Sequence, residues 1–126
     1  MTAAARFRAA VEAHDVEAAI GLLHPDVEFR SPVVHTPYRG ADRVGRLLRH
    51  VFEVFDDFRY VDQLDGATTS GLVFRARVGT REVEGWVYIT GEGEQITQLV
   101  VMVRPLSGLV ALAEAMGARL AADDQG

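Results

Sequence analysis

The chain has 126 residues, 48% of them apolar and 25% charged, which suits one globular domain over 1–126 with a core of its own. With no cysteine, a disulfide framework and a thiolate metal site are both excluded. The formal net charge of −5 argues against nucleic acid, whose phosphates call for a clustered basic surface.

Taken in chain order, residues 3–13 and 16–23 read as two short helices. In the second, Val16, Ala19, Ile20 and Leu23 form a helical stripe, Asp15 is the N-cap, and Pro25 stops the helix by disfavouring helical dihedrals at His24. The opening run "MTAAARFRAAVEAHD" carries Arg and Glu where a signal peptide needs an apolar stretch. Residues 27–31 read as a strand that enters the loop "SPVVHTPYRG". From Ala41 to Asp56, the spacing of Val44, Leu47, Leu48, Val51, Phe52 and Phe55 predicts a long amphipathic helix, with Arg43, Arg46 and Arg49 on its solvated side. Strands are predicted at 58–65, 71–79, 82–90 and 95–104, punctuated by Gly66, "GT" at 79–80 and "GEGE" at 91–94. Pro105 ends the last strand, Ser107 is a candidate cap, and Leu109, Leu112, Ala113, Met116 and Leu120 mark a closing helix. The uncharged stretch Pro105–Ala113 is too short to span a bilayer. His14, His24, His35 and His50 show neither HxH nor HExxH spacing, so no metal or cofactor is implied. These features predict a cytoplasmic protein with no membrane partner.

The order is helix, helix, strand, helix, four strands, helix. Short connections imply antiparallel hairpins, and the helices segregate to one face of the sheet. The expected fold class is α+β: a strongly curved, cone-shaped antiparallel sheet wrapped by the N-terminal helices and shut by the C-terminal one, with a cavity between. That order, with "LLHPDVEF" leading into a loop and "GEGEQITQLVVMVRPLS" ending the sheet, resembles the nuclear transport factor 2-like superfamily, and within it the SnoaL-like polyketide cyclase branch. The resemblance covers nearly the whole chain. It implies one of several chemistries, because this scaffold carries isomerases, cyclases, hydrolases and non-enzymes. The ketosteroid isomerases' base, an Asp before a proline at the end of the first strand, falls at Ser31, and their oxyanion-hole acid falls at about Trp86. The catalytic Asp that epoxide hydrolases and SnoaL-type cyclases carry on the last strand falls at Val101. Those mechanisms therefore do not transfer.

The remaining candidates each have two readings. His35 is a general acid or base near neutral pH, or a surface histidine of the loop. Tyr38 is a hydroxyl donor to a carbonyl or enolate oxygen, or a packing residue. Trp86 is a pocket wall or an interface anchor. Glu84 shares its sheet face and is either the pocket's carboxylate or a solvated residue, paired across the turn with Arg75 or Arg77. Arg104 is expected to tie the last strand to its helix, and Met102 and Met116 to sit in the core. Two functions follow. The first is a binding module for a small apolar ligand, lined by Ser31, Glu84, Trp86 and Val101. The alternative is a cofactor-independent isomerase or cyclase using His35 as base and Tyr38 as oxyanion donor. Apolar residues on both faces of the last strand predict a homodimer.

Overall fold

The computed structural model describes residues 1–125. Helices α1 (Ala3–Glu12) and α2 (Val16–Ile20) come first, then β1 (Leu23–Arg30), β2 (Tyr38–Arg39) and α3 (Ala41–Val54). Strands β3 (Asp56–Asp65), β4 (Thr69–Val78), β5 (Arg81–Glu92) and β6 (Gln95–Arg104) follow, and α4 (Leu106–Gln125) closes the chain. Asp15 caps α2 as expected, its side chain accepting the Ala18 amide proton at 3.0 Å. Ser107 does not cap: α4 begins at Leu106, and the Leu109 amide bonds back to the Pro105 carbonyl. Helix α2 is shorter than its apolar stripe suggested, because Leu23 already belongs to β1. That strand tolerates Pro25 because its pairing with β6 shifts register between Leu23 and Glu28, where a missing amide donor costs no ladder bond.

Six strands form one curved, open sheet in the order β2-β1-β6-β5-β4-β3. The run β3 to β6 is an antiparallel meander, whereas β1 lies parallel to β6, with Phe29 opposite Leu99. Register fixes the two faces. Tyr60, Phe74, Gly85 and Val103 align across one row, and Leu72, Val87 and Val101 across the next. These residues, with Phe29 and Leu99, face the helices on the concave side. The buried core joins them to Phe7 and Val11 of α1, Val44, Leu47 and Leu48 of α3, and Leu112 of α4. The α3 stripe therefore points inward as its spacing predicts, although the helix stops at Val54 and Phe55 turns extended while staying buried.

The convex face carries the opposite alternation. Asp62, Val73, Trp86 and Met102 form one row and Leu64, Gly71, Tyr88 and Val100 another. Charged residues flank them, with Arg75, Glu84 and Arg104 on one side and Glu28 and Arg39 on the other. Met102 is 58% exposed here, so the expectation of a core methionine is corrected for it. Arg104 bonds to Glu84 of the neighbouring strand at 2.8 Å instead of to α4. Arg75 also approaches Glu84, the cross-strand pairing that the tight turn implied.

Candidate functional site

A cavity of about 200 Å³ lies between the concave face and the helices. Five aromatic rings build its wall near β3. Phe58 stacks on Phe74 at 4.8 Å between centroids and meets Phe52 and Tyr60 edge-on at 5.5 and 5.1 Å, while Phe55 tilts against Phe58 and Phe74. Val87, Leu99 and Val101 form the sheet floor, and Leu112, Ala113, Met116, Gly117 and Leu120 bring α4 across it. Val33 and Val34 line the cavity and are nevertheless 48% and 43% exposed, which makes the loop after β1 its rim.

Of the residues singled out from sequence, Ser31, Tyr38 and Val101 line this cavity. Ser31 has a structural task as well: its Oγ accepts the amide protons of Val33 and Val34 at 3.0 and 3.4 Å and so folds the loop over the rim. Tyr38 sits on β2, a short strand that the sequence presents as loop, opposite Phe29 with ring centroids 6.4 Å apart. His35, Glu84 and Trp86 do not join them. His35 is exposed in the loop and outside the lining. Trp86 and Glu84 alternate with Val87 and Gly85 on β5 and therefore project from the convex face. The Trp86 ring covers Gly71, where a side chain would collide with it at 2.2 Å. The expected grouping of His35, Tyr38 and Trp86 in one pocket is corrected accordingly. Met116, expected in the core, is partly buried and lines the cavity.

Tyr60 went unremarked in the sequence. It lies next to a register shift in β3 and turns its ring into the cavity. Its hydroxyl is the one buried side-chain polar atom among the described residues without a hydrogen-bond partner. Burial, reinforced by Glu12 and opposed by Arg8, pushes this phenol well above its ordinary range, so it is protonated at any physiological pH. Three lining residues carry a hydroxyl, Ser31, Tyr38 and Tyr60, and that of Tyr60 is itself fully buried. No aspartate, glutamate, histidine or arginine is among the described lining residues. Among the described residues, no group of three or more His, Cys, Asp or Glu could hold a metal ion, and no helix is long and apolar enough to cross a membrane.

Residues 4–112 match the family model of the SnoaL-like domain. A steroid delta-isomerase from Pseudomonas aeruginosa superposes with a TM-score of 0.92 at 42% identity, covering 98% of this chain and 93% of that one. An uncharacterised bacterial protein with a cystatin-like fold from Silicibacter pomeroyi gives 0.90 at 33% identity, over 98% and 88% of the two chains. An NTF2-like protein of unknown function from Cytophaga hutchinsonii shares the fold alone, at 0.65 and 18% identity over 82% and 88%. No curated protein matches the sequence. The chain belongs to the SnoaL-like domain family, on the nuclear transport factor 2-like fold.

Proposed function

We propose that this chain, read as one SnoaL-like domain, holds a small, mostly apolar molecule in the cavity under its sheet, without carboxylate chemistry. The lining carries this reading: apolar and aromatic side chains nearly throughout, three residues that bear a hydroxyl, and no charged group. An apolar protein cavity of about 150 Å³ stays dry and takes up benzene, and the cavity here is of that order. Its rim loop is exposed, which gives a ligand a way in. Thermal unfolding in saturating naphthalene tests the proposal. A ligand that binds only the folded state raises the melting temperature, and no rise would contradict the reading.

The name of the 42% identical relative favours a second reading, a cofactor-independent isomerase acting by proton transfer on a carbonyl-bearing substrate. Such chemistry needs a base within hydrogen-bond reach of the proton it removes. Ser31 is no base, the Val101 side chain carries no polar atom, and Trp86 faces away from the cavity. We therefore expect isomerisation of a β,γ-unsaturated ketosteroid to proceed at the buffer rate; robust turnover would reverse the order of the two readings. The same proposal includes a homodimer through the convex face, where two apolar rows lie between charged ones.

A further inference from the structure

We propose a second ligand site, separate from the cavity: a groove at one end of the convex face that binds a small phosphate monoester through Arg75 and Arg77. It goes beyond the reading of the cavity and does not depend on it.

The groove, of about 350 Å³, lies beside the turn from β4 to β5, and Arg59, Arg75, Arg77 and Arg104 line it together with Glu82 and Glu84. Four arginines against two glutamates leave it with a net charge of +2, in a chain whose own net charge is −5. Strand register explains the crowding. Arg104, Glu84, Arg75 and Arg59 stand side by side on β6, β5, β4 and β3, four neighbouring strands. Arg59 and Arg75 are therefore directly opposite each other, a like-charge pair that destabilises a sheet unless an anion lies between.

The carboxylates at hand are largely committed. Glu84 accepts from Arg104 at 2.8 Å, and Asp57 from Arg59 at 3.0 Å. Arg75 reaches Glu84 only at 3.8 Å, too far for a hydrogen bond. Arg77 is opposite Glu82 across the ladder, and among the described residues it forms no ion pair. Arg75 and Arg77 are two apart on β4, so their guanidinium groups share one face and keep their donors for a ligand.

Charge and shape select the occupant. A phosphate monoester carries about two negative charges near neutral pH and presents three terminal oxygens. It thus matches the groove's charge and offers an oxygen edge to each of two guanidinium forks. A carboxylate brings half the charge and a single edge. The chain's overall negative charge repels an extended anionic surface, so the occupant is a small molecule and not a membrane or a nucleic acid.

Titration of methyl phosphate followed by phosphorus NMR at constant ionic strength tests this, using wild type, Arg75→Gln/Arg77→Gln and the control Arg6→Gln. The double variant is expected to bind about tenfold more weakly, the loss of two exposed charge pairs. Arg6→Gln disturbs only an exposed pair with Glu94 and should change the affinity by less than about twofold. Acetate should bind wild type more weakly than methyl phosphate; equal binding would overturn the ligand class. Equal losses from both variants would mean that phosphate only samples surface charge, and the site falls. It falls too if the double variant keeps its affinity, or if wild type binds no methyl phosphate and the double variant turns a dimer into a monomer in sedimentation, which would give these arginines to a contact between copies. Should the double variant fail to fold, the nitrogen NMR signals of the arginine Nε atoms in wild type decide. Those of Arg75 and Arg77 should move as methyl phosphate is added, and unmoved signals overturn the proposal.

Discussion

Phe74 shows what single side chains contribute. It is 1% exposed, stacks on Phe58 and underlies both the core and the cavity wall. Phe74→Ala should cost about 3 kcal/mol in urea unfolding, near the low end for buried phenylalanines because one side of the ring already faces the cavity. Gly85 is opposite it on β5, and a methyl group there would sit 2.3 Å from the Phe74 ring and 2.6 Å from the Met102 carbonyl oxygen. Gly85→Ala should therefore destabilise by about 1–3 kcal/mol despite adding apolar surface, and an unchanged unfolding midpoint would count against this packing. Ser31 and Tyr38 were legible because the loop after the first strand opens the cavity, and Val101 because alternation along the last strand places it with Leu99. Trp86 and Glu84 were not: alternation says which residues share a face but not which face is concave, and that is set by where the helices pack. Tyr60 was hidden more thoroughly. Register shifts on both sides of Arg59 and Tyr60 re-aim β3, so Gln63 takes the inner alignment and Leu64 the outer, an offset no simple two-residue period reveals.

Among the elements, α4 is the one that roofs the cavity, and it is pinned to α3 at its far end. Arg46 pairs with Asp123 at 2.9 Å and with Asp124 at 3.2 Å, the His50 ring meets Asp123 at 2.5 Å, and Arg119 pairs with Glu53. The bond to His50, and then that to Arg46, hold the Asp123 carboxyl below its usual value. A depressed carboxylate stabilises the fold above its unfolded pKa and loses that contribution as pH falls through the folded one. Asp123→Asn should therefore flatten the fall in stability below about pH 4, a change read from urea midpoints across that range; an acid limb identical to wild type would mean the pin is not formed in solution. Gly117 lies on the same helix with open space where a side chain would go. Gly117→Ala should stabilise by about 0.5–1 kcal/mol, because it restricts the unfolded chain and strains nothing. The long helices and the β3 to β6 meander were readable from periodicity and glycine punctuation. Strand β2 was not, because two residues between Pro37 and Gly40 carry no pattern, and neither was the parallel seam of β1 with β6, because hairpin reasoning sees only neighbours in sequence.

For the whole molecule, the sheet has one face covered by helices and one bare face on which Val73, Trp86, Met102, Tyr88, Val100 and Leu64 lie together. A bare apolar band bordered by arginines and glutamates suits a second copy of itself, since two-fold symmetry can set each charged border against its complement. Sedimentation at micromolar concentration is expected to give a dimer for wild type and a monomer for Met102→Arg; a monomeric wild type would remove the dimer from the account. The central claim is that the concave cavity, and not this convex band, receives the small apolar ligand. Anomalous diffraction from a crystal soaked in bromobenzene separates the two most directly. An ordered bromine enclosed among Phe52, Phe74 and Val101 is expected; a bromine found only beside Trp86 and Met102, with none in the cavity, would mean that the convex band is the binding surface.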